Sequence, residues 1–553
     1  GWEVAGTGEF ASVRVSITAY APKYPDSKKT NTPTASGRPA TAYSPVVTVG
    51  ATNKKEATLA GFSRDMYAQM AERDATASHS PLLIARGLSA YLKKYPHGCT
   101  EQITSQAFPA LKIRGTYWTE QEAQETFSRV LVMLRSRQLS DGGFTLWSGG
   151  WGYAHDYATV YAMHYLTEAK LQGFPVPPDL FSNGQKWLAS FINNNATSLY
   201  DARLKVYAAY VLTRGGTVTS AFLANVEEYL EKNHAKEWKG DVISAYMASI
   251  YKMHKMDEKA NTLIKGFIPD VKQRFVFYSD FDSSSLRNTQ YLYLLATHFA
   301  DEINKIDVKI ILNLLDSIAD QHYSSLLSSY SILALYAFAE ASEGYDRGMK
   351  LFAETGKNRI SLDVSYAPYP TGSYEGKIDK LIAESHQEGK FGLFLVATEQ
   401  GFDINPPKKE SKGIEVTRTY FDSEGKVKKT FKQGDDVTVQ ITVKTNGNMS
   451  YIENGVIIDL LPGALEVQMD SIARLRSNAY AGSYSSRAFD YVDVREDRLV
   501  FYAPLSSSSK TFTYTARVVS RGEFVIPPVY ASSMYDPVYR GNSESGKLVA
   551  TEE

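Results

Sequence analysis

The spacing of apolar residues changes twice along the chain. Near the start, Val13, Val15 and Ile17 alternate with polar residues, which is typical of a half-buried strand. From Ser80 to about residue 343, apolar residues recur every three or four positions, which predicts amphipathic helices. Beyond about residue 350 the alternation returns, most regularly from Val437 to Val443. The pattern therefore predicts strands, then a long helical region, then strands again.

The helical region begins at Ser80-Pro81, where an N-cap residue precedes a proline at the first helical position. Further helical patterns cover residues 99–113, 118–139, 156–172, 179–195, 201–214, 219–233, 240–255, 257–268, 287–303, 307–319 and 324–343. Many short helices joined by polar turns predict stacked helical hairpins in an open or closed α/α array.

Predicted loops and strands lie before and after this helical array in the sequence. Residues 22–44 are rich in Ser, Thr, Pro and Lys and are predicted to form a linker or long loop, as are residues 405–409. Alternating or continuous apolar runs predict strands near 360–364 and 391–396. The last 140 or so residues are expected to be all-β, and a β-sandwich is the predicted arrangement.

Length and charge narrow the class of protein. A chain of 553 residues should hold three or four domains. Its formal net charge is −1, from 60 basic and 61 acidic residues, so no basic excess exists to neutralise phosphates and a nucleic-acid partner is not expected. The chain begins with Gly-Trp-Glu, and we expect it to be the C-terminal part of a longer protein whose targeting signals precede it.

The chemistry centres on Cys99, the single cysteine in the chain. It lies at the predicted start of a helix, where free N–H groups and partial positive charge stabilise a thiolate. Gln102 follows three residues later. A thiol and a carboxamide at this spacing can condense with loss of ammonia into an internal thioester, and Gly98 gives the backbone freedom that a small ring needs. The sequence therefore suggests a stored, activated acyl group.

Two other hypotheses remain open. Cys99 could be the nucleophile of a transglutaminase-like enzyme, with His155 as base and Asp156 as orienting acid. Alternatively, the chain is a binding module with an idle, buried thiol. The nine histidines show no pair at i, i+4 with a third acidic ligand, so neither a metal nor any other cofactor is expected.

Several motifs resemble those of one family. The run Tyr95-Pro96-His97-Gly98-Cys99-Thr100-Glu101-Gln102 is similar to the thioester motif of bacterial alpha-2-macroglobulins. Residues 141–144 (DGGF) and 173–177 (GFPVP) resemble landmarks of the family's helical thioester domain, and residues 461–466, 495–498 and 534–537 resemble its terminal macroglobulin-like domain. The resemblance covers nearly the whole chain, which is similar to the C-terminal portion of these proteins.

The resemblance implies a multidomain α+β fold. An α/α-toroid thioester domain would be inserted in a CUB-type β domain and followed by a macroglobulin-like β-sandwich. Residues 1–40 would end a preceding macroglobulin-like domain, residues 41–80 and 351–410 would form the two halves of the CUB-type domain, 81–350 the toroid, and 411–553 the terminal domain.

The resemblance also implies roles for particular residues. Cys99 and Gln102 would form the thioester, and Tyr95, Met534 and Tyr535 would shield it from water. His97 stands where many relatives have an aromatic residue, so it would either shield or act on the attacking group. His155 is the candidate for a histidine that assists acyl transfer. Independently of the resemblance, Trp147 and Trp151 lie among glycines; they could line a sugar site, but the preferred interpretation is that they plug the mouth of the toroid.

The implied function is a single-use, broad-spectrum protease inhibitor rather than an enzyme. A protease would cut a bait segment upstream of this chain, and a lysine of that protease would then attack Gln102. Family members imply a monomer in the bacterial periplasm or cell envelope, anchored through an upstream lipoprotein N-terminus, with an envelope peptidoglycan synthase as a partner.

Overall fold

The computed structural model describes most of the chain, apart from short internal segments and the N-terminal region. The described residues are 11–16, 43–52, 54–94, 98–114, 118–148, 152–269, 277–303, 305–306, 310–311, 313–314, 322–342, 348–365, 369–389, 392–405, 407–480, 489–495 and 497–552. Tyr95, His97 and Trp151, most of the predicted loop at 22–44 and most of the predicted helix at 307–319 lie outside them.

Helices dominate the middle of the chain, as predicted. They are α1 Ile84–Lys94, α2 Thr100–Lys112, α3 Glu120–Arg135, α4 Asp156–Leu171, α5 Pro178–Asn193, α6 Leu199–Arg214, α7 Ser220–His234, α8 Val242–Met253, α9 Asp257–Ile264, α10 Ser284–His298, α11 Ala300–Ile303, α12 Ser325–Ser342 and, far downstream, α13 Met469–Tyr480. Ser80 caps a short 3-10 turn at Pro81–Leu83, with its side chain accepting from the N–H of Leu82.

Six of these helices contact one another in a closed cycle. Helix α2 packs against α4, and the contacts continue through α6, α8, α10 and α12, which returns to α2. Helix α4 is buried on nearly all sides from Tyr157 to Ala169, as expected for a helix enclosed by other elements. The first turns of α6, α8 and α10 lie together, because Arg203 of α6 reaches both Asp241, which caps α8, and Asp282, which precedes α10.

The intervening helices form an outer layer. Helix α3 packs against α2, and α5 against α4 and α6. Helix α3 buries Ala123, Phe127, Val130 and Leu134, a single stripe at helical spacing whose opposite face is polar. This contrast between inner and outer helices explains why the periodic pattern is clear in some segments and blurred in others.

Strands form the remainder of the fold. They are β1 Ala11–Ser16, β2 Tyr43–Thr52, β3 Glu56–Ala60, β4 Glu72–Ser78, β5 Phe277–Ser279, β6 Asp282–Ser283, β7 Lys350–Thr355, β8 Asn358–Ser361, β9 Val364–Ser365, β10 Thr371–Ser373, β11 Lys380–Glu384, β12 Leu393–Phe402, β13 Glu410–Lys412, β14 Ile414–Phe421, β15 Thr430–Lys432, β16 Asp436–Thr445, β17 Tyr451–Leu460, β18 Leu465–Val467, β19 Tyr491–Val494, β20 Arg498–Ser506, β21 Lys510–Val518, β22 Gly522–Ile526, β23 Val529–Ser533, β24 Arg540–Asn542 and β25 Gly546–Thr551.

Strands before and after the helical region pair with one another. One sheet has the order β1-β2-β12-β4-β10-β9, and a second has the order β3-β11-β7-β8. The two share a core that includes Leu59, Leu351, Leu381 and Leu395. Ile360 departs from the predicted half-buried alternation, because β8 is exposed along its whole length as the last strand of its sheet.

The C-terminal region contains three further sheets. Their orders are β13-β24-β23-β17-β20-β19, β14-β16-β21-β18 and β15-β25-β22. The predicted alternation from Val437 to Val443 is confirmed, since the apolar residues of β16 are all buried in the shared core. The expectation of an all-β region is wrong at α13, where Ile472 and the partly buried Leu475 point into the same core at helical spacing.

One sheet of the C-terminal region is buried on both faces. On β17, Ile457 belongs to the core of that region, whereas Ile458 belongs to a second cluster on the opposite face. We call this cluster the docking face; it consists of Val456, Ile458, Leu460, Val500, Tyr502, Met534 and Tyr535. Trp147 and Phe281 of the helical region pack against it, so the docking face joins the two regions.

The structure is thus a mixed helix-and-sheet protein, with a helical region followed by mostly antiparallel sheets. Within the described residues, no helix combines the length and apolar character required to cross a bilayer.

Candidate functional site

Cys99 and Gln102 contact each other at the start of α2. Cys99 is the N-cap residue, with the extended backbone that this position requires. Its thiol faces the backbone N–H of Gln102, while Oε1 of Gln102 accepts from the backbone N–H of Cys99 at 3.1 Å. This reciprocal arrangement is a capping box, with cysteine in the place usually taken by serine or threonine. It brings the thiol and the carboxamide to the same end of the helix.

The segment from Arg137 to Leu146 holds this turn in place. The backbone N–H of Thr100 donates to the carbonyl of Leu146 at 2.8 Å, and its hydroxyl donates to the carbonyl of Thr145 at 2.5 Å. The guanidinium of Arg137 donates to the carbonyl of Gly98 at 2.6 Å. Both sides of Cys99 are therefore fixed by the same segment.

Two glycines shape that segment. Gly142 has φ +95°, and a Cβ there would lie 2.1 Å from the carbonyl oxygen of Asn183. A Cβ on Gly143 would lie 2.4 Å from Cβ of Ala154 and 2.6 Å from Nε1 of Trp187. The Asp-Gly-Gly-Phe landmark thus has a structural role, since only glycine fits where the segment turns back toward Cys99.

Burial is the largest influence on the pKa of the Cys99 thiol. Cys99 and Gln102 have no exposed surface. Burial, reinforced by the carboxyl of Glu101, raises the pKa of the Cys99 thiol to about 12. The backbone N–H of Gln102, the Tyr535 hydroxyl and Arg137 act in the opposite direction and are outweighed. At neutral pH the thiol is therefore protonated and a poor nucleophile.

Tyr535 covers the thiol. Its hydroxyl lies 3.7 Å from Sγ of Cys99 and donates to Oε2 of Glu101 at 2.8 Å. Its ring packs edge-on against Phe281 with centroids 4.9 Å apart. Met534 beside it is buried in the docking face, and its backbone N–H donates to the carbonyl of Asn454. The structure brings Tyr535 directly onto the Cys99–Gln102 pair and places Met534 in the surrounding cover.

Glu101 is a site residue that sequence analysis did not single out. Its carboxyl accepts hydrogen bonds from Ser105 at 2.5 Å, from Ser325 at 2.9 Å and from Tyr535 at 2.8 Å. Burial outweighs these bonds and raises the pKa of Glu101 to about 7. Its position between Cys99 and Gln102 was the one available signal, because two of its three partners, Ser325 and Tyr535, lie hundreds of residues away along the chain.

Aromatic side chains extend the cover to either side. Trp147 stacks on Tyr491 with centroids 5.3 Å apart and lies 4.4 Å from the ring of Tyr502. Phe281 stacks on Tyr157 of α4 at 4.9 Å. Trp147 therefore contacts the C-terminal region, a role that the predicted plug did not specify.

His155 lies near this cover but not on the thiol. It caps α4, and its Nδ1 accepts from the backbone N–H of Ala158 at 3.2 Å. Its ring contacts Phe281, which in turn contacts Tyr535. Burial lowers the pKa of His155 to about 4, so the ring is neutral at neutral pH. Among the hydrogen bonds and ring contacts of the described chain, none joins His155 to Cys99.

The remaining candidates cannot be placed in the same way. Tyr95 and His97 lie outside the described residues. Within the part of the chain that the structure covers, no group of three or more His, Cys, Asp or Glu side chains could hold a metal ion.

Fold and site together define a mixed helix-and-sheet protein that keeps one cysteine–glutamine pair buried beneath a separate β region. The family model for the bacterial alpha-2-macroglobulin MG10 domain matches residues 413–537. Over 530 residues the chain is 32% identical to the alpha-2-macroglobulin of Rickettsia conorii, an alignment that covers 92% of this chain and 27% of that protein. Over 507 residues it is 29% identical to the alpha-2-macroglobulin homolog of Yersinia pestis, covering 86% of this chain and 25% of that protein.

A solved structure has the same fold. The crystal structure of native alpha-2-macroglobulin from Escherichia coli, spanning the residues from domain MG7 to the C-terminus, matches with a TM-score of 0.69 at 19% identity. The match covers 92% of this chain and 88% of that one. The chain belongs to the bacterial alpha-2-macroglobulin family. It spans about a quarter of the length of the curated relatives it matches.

Proposed function

We propose that this chain is the part of a protease inhibitor that captures attacking proteases covalently, through a thioester between Cys99 and Gln102. The observation that carries the proposal is the capping box. It holds the Gln102 side chain against the N–H of Cys99, with both residues fully buried under Tyr535. The capping box therefore brings together, away from water, the thiol and the carboxamide that ring closure would join.

Ring closure and capture each exchange one bond at Cδ of Gln102. In closure, Sγ of Cys99 attacks Cδ and the carbon–nitrogen bond breaks. The thiol proton passes to the departing nitrogen, which leaves as ammonia. In capture, a lysine amine of the protease attacks Cδ and the carbon–sulfur bond breaks. The proton lost by the amine passes to the sulfur, so an amide and a Cys99 thiol result. Each molecule reacts once, which makes the protein an inhibitor rather than a turnover enzyme.

The cover protects the thioester in two ways. It excludes water, which would otherwise hydrolyse an activated acyl group. The same burial that raises the pKa of the Cys99 thiol to about 12 also makes the thiolate a poor leaving group. Opening the cover would expose the sulfur to water, which solvates the developing thiolate and favours its departure.

The finer assignments belong to the same proposal. Met534 and Tyr535, together with Tyr95 and His97, would form the shield. His155 would assist transfer to hydroxyl groups through an acyl-imidazole once the cover has moved. We expect the His155→Ala variant to lose reaction with glycerol while keeping reaction with methylamine, and equal losses with both would exclude this role.

The proposed architecture has five parts. Residues 1–40 end a macroglobulin-like domain, 41–80 and 351–410 form a CUB-type domain, 81–350 form an α/α toroid, and 411–553 form the terminal macroglobulin-like domain. The closed cycle of helices and the pairing of β2 and β4 with β12 support this division.

The setting of the protein is proposed from the family. We propose a monomer in the periplasm or cell envelope, held by an upstream lipoprotein anchor. Its targets would be incoming proteases, and an envelope peptidoglycan synthase would be a partner.

The cysteine-enzyme hypothesis fits the site less well. A catalytic cysteine needs thiolate character and a base within hydrogen-bond reach. Here burial holds the thiol protonated, and Nδ1 of His155 is engaged by the backbone of its own helix.

Methylamine tests the proposal directly. We expect methylamine to add its own mass at Gln102 and to release one thiol that iodoacetamide can modify. The Cys99→Ser and Gln102→Glu variants, which cannot close the ring, should gain neither change. A thiol that iodoacetamide modifies equally well without methylamine, with no gain in mass, would exclude the thioester.

A further inference from the structure

The carboxyl of Glu101 joins three separate parts of the chain. Its hydroxyl donors are Ser105 on its own helix α2, Ser325 at the start of α12 and Tyr535 beyond β23. The two serines fix the carboxyl within the helical region. The tyrosine is the donor that arrives from the C-terminal region and also lies against Sγ of Cys99.

We propose that Glu101 is a positioning residue that holds the Tyr535 hydroxyl over the Cys99 sulfur and thereby sets how often the cover opens. This inference rests on the proposed function in one respect: the group that the cover protects is taken to be the thioester. The contact itself is tested below with and without a thioester.

The surroundings of Glu101 suit such a role. The residue has no exposed surface, and among the ion pairs of the described chain it forms none. A buried carboxyl without a cation is costly unless hydrogen bonds satisfy it. When Tyr535 leaves, the carboxyl loses one of its three hydroxyl donors and gains access to water. The free energy of the Glu101 side chain therefore differs more between the closed and the open cover than that of an apolar side chain would.

The protonation of Glu101 links the cover to pH. In the closed state burial holds the pKa of its carboxyl at about 7, whereas a hydrated glutamate has a pKa of about 4.3. The closed state therefore binds the proton more tightly. Closure is favoured at low pH, and opening becomes easier as pH rises from about 4.5 to 7, with no further gain above that range.

The ionisable groups that interact with Glu101 do not blur this link. Besides its donor Tyr535, they include Cys99 and, on α4, Tyr157 and Tyr161. Burial raises the pKa of Cys99, Tyr157 and Tyr161 above the range in which Glu101 titrates. Other acids at the interface, such as Asp280, whose pKa burial raises to about 6, are the same in every variant of residue 101.

Substitutions at 101 and 535 form the test. Glu101→Gln keeps an acceptor for Tyr535 but cannot ionise, and Glu101→Met keeps the volume but has no acceptor. Tyr535→Phe removes the donor. Glu168→Gln is the matched control, because Glu168 is equally buried in the helical region but pairs with Lys112 and Arg214. The readout is the rate of methylamine uptake at Gln102, followed by intact mass.

We expect Glu101→Met to react roughly five- to tenfold faster than Glu101→Gln, as for loss of one hydrogen bond. Tyr535→Phe should accelerate Glu101→Gln by a similar factor and leave Glu101→Met unchanged. Equal effects of Tyr535→Phe in both backgrounds would overturn the proposal. Glu168→Gln should react at the wild-type rate, and acceleration equal to that of Glu101→Met would assign the effect to general loosening of the helical region.

The pH profile is a second, independent readout that does not depend on whether Glu101→Met folds. The ratio of the wild-type rate to the Glu101→Gln rate should rise between pH 5 and 7 and then level off, by up to about a hundredfold if the open state hydrates Glu101 fully. Taking the ratio cancels the titration of methylamine. A flat ratio would overturn the proposal.

The same variants remain informative if no thioester forms. The wild-type chain would then carry a thiol and gain no mass with methylamine, which contradicts the proposed function alone. Iodoacetamide modification of Cys99 would replace methylamine uptake as the measure of opening. The variants should then rank in the same order by rate, and the ratio of the wild-type rate to the Glu101→Gln rate should depend on pH in the same way. If neither is found, the role of Glu101 is contradicted, whatever the outcome for the proposed function.

Discussion

Removing the Trp147 side chain should expose Cys99 even though its ring packs on the C-terminal region rather than on the sulfur. Trp147 is half-buried and contacts the rings of Tyr491 and Tyr502 on the docking-face sheet. In Trp147→Ala the interface loses both contacts, while the backbone that holds Thr100 stays in place. The prediction therefore separates a cover that depends on docking of the whole β region from one that depends on Tyr535 alone.

The expected size follows from the two ring contacts. Aromatic pairs contribute about 0.5–1.5 kcal/mol each beyond burial of area, and the loss of half-buried apolar surface adds roughly 1 kcal/mol. Together they weaken docking by about 2–4 kcal/mol. Each 1.4 kcal/mol is tenfold in an equilibrium, so the open population should rise between roughly thirtyfold and several hundredfold.

The assay is the rate at which methylamine or iodoacetamide modifies the Cys99–Gln102 pair, measured by intact mass. When the cover recloses faster than the reagent reacts, this rate is proportional to the open population. Tyr291→Ala is the control, because Tyr291 is also half-buried and packs on one ring, that of Phe267 at 4.6 Å, but within the helical region. It should lower thermal stability without raising the rate. A Trp147→Ala rate within threefold of the wild type would refute the reasoning.

Three further predictions concern the support of the site and the stability of the helical region. Arg137→Ala removes the guanidinium that donates to the carbonyl before Cys99, so unfolding should cost about 2 kcal/mol less in urea; unchanged stability would contradict this. Gly143→Ala should destabilise by at least about 2 kcal/mol, because a Cβ would lie 2.4 Å from Cβ of Ala154, and an unchanged melting temperature would show that the turn can shift. Burial raises the pKa of Glu168, but Lys112 and Arg214 outweigh it and hold the value at about 2. The stability that ionised Glu168 contributes is therefore present above about pH 4.5 and lost as pH falls toward 2, so the advantage of the wild type over Glu168→Gln in urea should shrink between pH 6 and pH 3, and a constant advantage would refute it.

Local patterns along the sequence predicted much of the fold. Apolar residues at helical spacing located most helices of the described middle region to within a few residues, because burial of one face imposes that period. The single helix predicted over 287–303 is wrong in one respect, since the structure divides it at Phe299 into α10 and α11. Strict alternation from Val437 to Val443 likewise identified a strand with one face in a core. Helix α13 was missed because the alternating pattern of the strands around it favoured an all-β region, and its Ile472 is buried in the same β-rich core.

The candidate site was predictable only where it is local. The spacing of Cys99 and Gln102 is read along one turn of helix, and the structure places the two in contact. The role of Glu101 depends on Ser325 and Tyr535, which are 224 and 434 residues away along the chain. No periodicity encodes such contacts, because they arise when the C-terminal region docks on the helical region.

The stacking of Trp147 on Tyr491 shows the same limit. A tryptophan among glycines predicted a special packing role, but its partner belongs to a strand far downstream. Resemblance to the family supplied Met534 and Tyr535 as candidates, which composition and spacing alone would not have selected. Tertiary contacts of this kind require the structure.

The most direct test of the account is the intact mass of untreated, freshly purified protein beside its Cys99→Ala variant. Ring closure expels ammonia, so the wild type should weigh less than its sequence by one ammonia molecule. The deficit should map to the peptide containing residues 99 and 102, and the variant should match its sequence. A wild-type mass equal to that of the full sequence, with the Gln102 amide intact, would contradict the central claim.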